Sequence, residues 1–309
     1  MSPPAGRRRL AALRTLTAAV VPLVVLTASS GPTTLPDVVP VPRPSPLTLT
    51  TTPLPAPAAA DEPSSHGRKS PTSYRRALTK ALDRRLGAMP GRLSVSVRDL
   101  STGRSFTYNR ALRTATASIV KANLVMALLL KAQRRHRGLL AWERRAAARA
   151  IKVSDNAAAS ALWTAIGGGA GLAAADRRLG LRETRPGPGG AWGSTTTSAA
   201  DQVRLLAALT SSLSPLSAAN RRYLLGLMRH VTPEQAWGVS ASGGHGTALK
   251  NGWLPRERDG GRWTVNSIGR VRHRGHTYLI AVLSDRHTSL RAGVQAVEDV
   301  TRLVTRSLR

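Results

Sequence analysis

The stretch Ala117-Ser118-Ile119-Val120-Lys121-Ala122-Asn123-Leu124-Val125-Met126-Ala127-Leu128-Leu129-Leu130 is apolar almost throughout, and it opens with the one Ser-x-x-Lys in the chain. Read as a helix, it places Ser118 and Lys121 on one face, one turn apart. An amine so placed can take the hydroxyl proton, the minimum apparatus for a serine nucleophile. Ser118 also falls in the first turn, where unpaired backbone N–H groups and the helix dipole favour a developing oxyanion. A buried helix that happens to start with a serine satisfies the same pattern, so the motif needs company before it means chemistry.

Upstream, Leu78, Ala81, Leu82 and Leu86 recur at helical spacing until Gly87. Leu93-Ser94-Val95-Ser96-Val97 then alternates as a strand, Ser101-Thr102-Gly103-Arg104 turns, and Ser105-Phe106-Thr107-Tyr108 returns. Downstream, Ala- and Leu-rich helical signal runs to about Ala241, broken at Gly167-Gly168-Gly169, at 186–190 and at Ser214-Pro215. Strand patterns resume over 246–250, 263–271 and 278–283, and Leu290, Val294, Val297, Val300 and Leu303 mark a last helix. Strands at both ends enclosing a helical insert imply an α+β fold: an antiparallel sheet of about five strands, flanked by helices, with an inserted all-helical subdomain. The expected division is a sheet part over 72–115 and 245–309 and a helical part over 116–244.

Two further motifs come after the Ser-x-x-Lys in order. Ser154-Asp155-Asn156 offers a hydroxyl that can hand a proton to a leaving nitrogen, and an amide that can orient Lys121 and bind a substrate carbonyl. Lys250-Asn251-Gly252 ends a strand candidate, with a cation facing the cleft and a glycine that permits close approach. Singly, Ser154-Asp155 is also a plain helix cap and Lys250 a plain edge lysine.

In this order the three boxes resemble the Ser-x-x-Lys, Ser-Asp-Asn and Lys-Thr-Gly boxes of class A β-lactamases and of penicillin-binding serine acyltransferases more broadly. The likeness covers roughly residues 72–309. It extends to Ile166-Gly167-Gly168 in the helical domain, to Thr195-Thr196-Thr197 after the omega loop, and to the last strand at 279–285. The resemblance implies Ser118 as nucleophile, Lys121 as its base and Ser154 as proton relay. It implies Asn156, Lys250, Asn251, Gly252 and Trp253 as substrate contacts, with the backbone N–H groups of Ser118 and Trp253 as the oxyanion hole. The implied substrate is a β-lactam or a D-Ala-D-Ala-like peptide, and no metal or cofactor is called for.

The departures bear on turnover. The family's deacylating Glu-x-x-Leu-Asn has no counterpart, and between Asn156 and Lys250 the carboxylates are Asp176, Glu183, Asp201 and Glu234 alone. Glu183, in the short loop 182–190, is the sole candidate deacylation base, and it lies among arginines that can simply pair with it. Asn251 stands where the family has a hydroxyl residue. Arg256, Arg262, Arg270 and Arg286 are all candidates to bind a substrate carboxylate. With acylation groups present and a water-activating base missing, the expected phenotype is a slowly released acyl-enzyme. A cell-wall D-Ala-D-Ala peptidase or transacylase, and a non-catalytic wall-binding module on the same fold, are the alternative readings.

Composition narrows the partners. The formal charge is +30 over 309 residues, with arginine spread through every segment. Such a surface adheres to anionic polymer, including cell-wall polymer. Phenylalanine and tyrosine are scarce and no aromatic-basic pattern occurs, which argues against a specific nucleic-acid reader. The chain has no cysteine, which removes disulfides, thiol catalysis and Cys-linked lipid. Arg7-Arg8-Arg9, an apolar stretch from Leu16 to Thr27, and Ala28-Ser29-Ser30 fit the plan of a secretory signal peptide over 1–30, with an uncleaved anchor as the competing view. Residues 31–71 read as a Pro/Thr-rich disordered linker. His273 and His276 read as turn residues rather than metal ligands, and Trp192, Trp237 and Trp253 as core or cleft wall.

Overall fold

The computed structural model describes residues 71–87 and 89–308. The expected signal peptide, and the linker up to residue 70, lie outside the described residues. Helix α1 (Pro71–Gly87) leads into β1 (Arg92–Asp99) and β2 (Ser105–Tyr108), then the two-residue β3 (Thr114–Ala115). A helical stretch comes next: α2 (Val120–Arg134), α3 (Ala141–Lys152), α4 (Asn156–Ile166) and α5 (Gly168–Arg178). After the two-residue β4 (Thr196–Thr197) come α6 (Ala199–Thr210) and α7 (Ala218–Arg229). The chain closes with β5 (His245–Arg256), β6 (Arg262–His273), β7 (His276–His287) and α8 (Leu290–Ser307).

The main sheet has the order β2-β1-β7-β6-β5, with every described pairing antiparallel. Its central strand β7 is covered on both faces, which is why Tyr278-Leu279-Ile280-Ala281-Val282-Leu283 reads as a continuous apolar run. Alternation divides that run between two cores. Ile280 and Val282 pack with Leu78 and Leu82 of α1 and with Val297, Val300 and Val304 of α8. Leu279, Ala281 and Leu283 face the helical part. Helix α2 is the axis of that part and is buried on all sides from Val120 to Leu130, as a helix without a polar face must be. The α+β architecture expected from the pattern is the one observed.

The sequence pattern does not foresee the β3–β4 ribbon. It pairs Thr114 with Thr197 and Ala115 with Thr196, tying the segment before Ser118 to the helical part. His276 also differs from the expected exposed turn residue. Its Nδ1 lies 2.8 Å from Asp99 Oδ2 and its ring stacks on Tyr278, so it closes the β6–β7 hairpin against β1.

Two residues beyond Lys121, Asn123 donates from Nδ2 to Asp176 Oδ1 at 3.1 Å, and both residues are buried. Burial raises the Asp176 carboxyl to about 7. Asp176 Oδ2 and Asn123 Oδ1 have no other partner, the arrangement expected of a neutral acid–amide pair. From the ordinary carboxylate range up to about pH 7 the unfolded chain releases a proton that the folded chain keeps, so stability falls with rising pH and then levels off. Asp176→Asn should therefore stabilise the protein at pH 8, by an amount on the order of 2 kcal/mol, and change little at pH 4. Urea unfolding at both pH values checks this; an equal shift at both would show that Asp176 is not held neutral.

Candidate active site

The nucleophile candidate sits on a turn clamped from several sides. Ala117–Ile119 forms one 3-10 turn ahead of α2, and Ala117 has φ +48°, a left-handed conformation that alanine resists. Thr116 N donates to Thr195 O at 2.7 Å. From β6, the buried Asn266 donates to Ala115 O at 2.8 Å and to Thr116 O at 3.1 Å, while its Oδ1 accepts from Ser284 N. Sequence reasoning missed Asn266, because nothing local marks an asparagine in a strand as the staple of a segment about 150 residues away.

The free edge of β5 passes directly over this turn. A Cβ built on Gly252 would stand 2.6 Å from Ser118 N and 2.7 Å from Ile119 N. Only glycine lets the strand approach so closely.

Lys121 has no exposed surface. Its Nζ contacts Ser118 Oγ at 2.9 Å, Ser154 O at 2.5 Å, Ser154 Oγ at 3.1 Å and Asn156 Oδ1 at 2.8 Å. The local fold explains the convergence. Asp155 caps α4 by accepting from Ala158 N and is held by Arg149, which sets Asn156 at the first helical position. Ser154, at φ +57°, turns both its carbonyl and its hydroxyl toward the lysine. Hydrogen bonds to oxygen favour the ammonium and burial disfavours it. Burial wins, and Lys121 is lowered to about 8, with Asp155 acting in the opposite direction.

Lys250 reaches the same hydroxyl from β5. Its Nζ lies 3.0 Å from Ser154 Oγ and 2.8 Å from Asn251 O. Complete burial, and then the charge of Lys121, push it well below the usual lysine range. Ser154 Oγ is thus shared by two lysines that disfavour each other's protons, a geometry able to pass a proton along the row.

The remaining expected contacts fare differently. Alternation along β5 places Asn251 and Trp253 on the face opposite Lys250. Asn251 Nδ2 is engaged by Gln235 O at 2.7 Å and Trp237 O at 3.0 Å, so the expected substrate contact is instead a strut under the 233–237 segment. The Trp253 ring packs against Trp237, with centroids 5.8 Å apart. Glu183, the candidate deacylation base, is tied elsewhere. Its carboxylate pairs with Arg113 at 2.6 Å and accepts from Ser198 Oγ. Buried Asp201 holds the loop in that place, accepting from Arg182 N, Glu183 N and Thr184 Oγ1. Of the four arginines, Arg262 donates to Arg286 O, Arg256 lies 3.6 Å from Asp259, and Arg270 lines a separate cavity with Arg221 and Arg222.

The group that does stand against Lys121 is Trp192. Its ring centroid lies 5.0 Å from Nζ, and its indole N–H donates to Ser160 Oγ at 3.1 Å. The turn that carries it, Trp192–Ser194, packs on the nucleophile turn, with Thr116 Oγ1 donating to Gly193 O. By sequence Trp192 is one wall residue among several, and only the tertiary contact singles it out.

Comparison with known proteins fits this geometry. A family model described as a β-lactamase enzyme family matches residues 77–140 and 143–308. The chain belongs to the β-lactamase enzyme family. Among solved structures, a variant of a reconstructed class A β-lactamase, the last common ancestor of Gram-negative bacteria, superposes with a TM-score of 0.64 at 25% identity, covering 75% of this chain and 98% of that one. A class A β-lactamase of Bacteroides cellulosilyticus shares the fold at a TM-score of 0.67 and 16% identity, covering 78% and 99%. A PBP-A mutant captured as its acyl-enzyme complex with penicillin G gives 0.64 at 21% identity, covering 76% and 96%. In sequence, the "Putative lipoprotein LppW" of Mycobacterium tuberculosis is 30% identical over 191 residues, 60% of this chain. The chain spans 59% of that relative's length. This β-lactamase-family chain is therefore matched over both its sheet part and its helical part.

Two outcomes are expected. Lys121 should titrate near pH 8, read by NMR of labelled lysine; a midpoint near the ordinary lysine value would show that burial does not govern it. Gly252→Ala should force β5 off the nucleophile turn at a cost of about 1–3 kcal/mol. Thermal unfolding and penicillin labelling measured together check the latter, and unchanged labelling would mean that the close approach is dispensable.

Proposed function

We propose that this chain is an exported serine hydrolase that forms an acyl-enzyme on Ser118 with β-lactams or related D-Ala-D-Ala-like amides and releases it slowly. The observation that carries the reading is the row Ser118 Oγ, Lys121 Nζ, Ser154 Oγ and Lys250 Nζ, each within about 3 Å of the next. Neutral Lys121 takes the proton from Ser118 Oγ as the oxygen attacks the substrate carbonyl. The backbone N–H groups of Ser118 and Trp253 receive the oxyanion. When the C–N bond breaks, Ser154 gives its proton to the nitrogen and is reprotonated along the lysine row. The ester on Ser118 remains.

Its hydrolysis needs a water activated beside that ester. The Trp192 ring stands 5.0 Å from Lys121 Nζ, and Glu183 is held by Arg113. This supports slow deacylation. Export rests on the N-terminal pattern and on the lipoprotein name of the LppW relative. A Cys-linked lipid is not available to this chain, which has no cysteine. Its charge of +30 supports association with anionic wall polymer.

The test is a time course of fluorescent penicillin on the full chain, tracking covalent label and hydrolysed product together. Label should appear, persist, and vanish in Ser118→Ala; its rate of appearance should rise with pH and level off above about 8, as Lys121 loses its proton. Rapid product would overturn slow release, and a folded protein that never labels would favour a non-catalytic binding module. Trp192→Glu should shorten the label's lifetime by about ten-fold or more, within the usual range for a positioned base. A lifetime unchanged by that substitution would refute the role given to the indole.

A further inference from the structure

A second concentration of unusual electrostatics lies away from the acylation row. Arg270 of β6 stands directly opposite Leu279 of β7, and Leu279 directly opposite Arg98 of β1. Opposed residues share a sheet face, here the face that packs against the helical part. Arg270 opens into a cavity of about 460 Å³ lined also by Leu100, Leu209, Ala218, Arg221 and Arg222. No lining residue is acidic.

Two features of this cavity set positive charge where nothing negative compensates it. Arg270 is half-buried, with no carboxylate paired to it among the described residues, and the charges of Arg229 and Arg272 add to burial in lowering its pKa. Arg221 and Arg222 lie near the start of α7, whose first turn carries no acidic residue. That end of a helix is the positive one, where cations are disfavoured by about 0.3–1 kcal/mol each. Across α6, a neighbouring depression of about 380 Å³ is lined by Arg98, Arg178, Arg182 and Arg204. Of these, Arg204 is paired with Asp201. The two basins both border α6, an arrangement that suits successive charges of a repeating polyanion.

We propose that the cavity between β6, α6 and the start of α7 binds phosphate groups of a phosphodiester-linked polymer, with Arg221, Arg222 and Arg270 as the contacts. A bound phosphate reverses the sign of each unfavourable contribution: it neutralises the arginine cluster and complements the positive helix end. The lining, arginines among aliphatic and hydroxyl side chains, offers no aromatic ring for base stacking, which favours a non-nucleic polymer over a single-stranded nucleic acid. The site does not depend on acyl transfer, and penicillin labelling therefore serves as an independent readout.

The experiment is calorimetric titration of the full chain with a synthetic glycerol-phosphate oligomer at physiological salt. Three proteins are compared: the parent, a triple Arg221→Gln, Arg222→Gln, Arg270→Gln variant, and a variant of equal charge loss at Arg76→Gln, Lys80→Gln, Arg291→Gln. The site variant should bind about ten-fold or more weakly, the control within about two-fold of the parent, consistent with loss of specific phosphate contacts rather than of net charge. Labelling by penicillin should be unchanged in both. The exposed Arg222→Gln alone, which leaves the fold undisturbed, should weaken binding in the same direction. Equal losses in site and control variants would reduce the cavity to general surface charge and overturn the proposal. Tighter binding of a single-stranded oligonucleotide would overturn the assignment to a non-nucleic polymer, and equal binding of polyglutamate would overturn the assignment to phosphodiester.

Discussion

The structure depends on keeping a lysine fully buried between a helical core and a sheet edge. Lys121 lies on the buried stretch of a helix whose other residues there, Asn123 apart, are apolar, and an unpaired charge at that place would cost more than a small domain can bear. The fold meets that demand with the neighbouring Ser118 and with two residues from elsewhere in the chain. Ser154 and Asn156 arrive by way of the cap of α4, and Ser118 by way of the strained turn before α2. Burial still leaves its imprint, because the amine gives up its proton more readily than a lysine in water. The same desolvation that threatens stability fits Lys121 to act as a base near neutral pH.

The strain around this centre is localised and answered nearby. Ala117 and Ser154 both hold left-handed backbone, each at a cost of order 1 kcal/mol. Buried hydrogen bonds from Asn266 to two carbonyls, and from Thr116 to Thr195, contribute a similar amount apiece. The β3–β4 ribbon adds the tie between the sheet side and the helical side. These contacts hold the turn rigid while leaving Ser118 itself half-buried and reachable.

The two functional halves of the site are set by different elements. Groups that can make an acyl-enzyme come from α2, the start of α4 and the edge strand β5, all anchored in core. The short loop after α5 carries two further groups: Asp201 holds its 182–184 segment where Glu183 meets Arg113, and the 192–194 turn sets Trp192 against Lys121. In the proposed reading, these two placements slow the release of the ester.

Periodicity was enough to place the first and last helices, the five main strands and the α+β class, and to mark the middle of the chain as helical without dividing it, because burial on one face or on two imposes spacings that survive in one dimension. The three boxes named Ser118, Lys121, Ser154, Asn156 and Lys250 for the same reason: each motif is a local spacing on a local element. What the sequence could not decide was direction across long separations. Asn251 falls on the far face of β5 because side chains alternate about a strand whose neighbours are unknown until the sheet forms. Asn266 and Trp192 make their contacts with residues tens of positions to about 150 positions away, and Glu183 is held off by a loop path that no local pattern encodes. Chemistry carried by neighbours in sequence was legible; chemistry carried by neighbours in space required the packed chain.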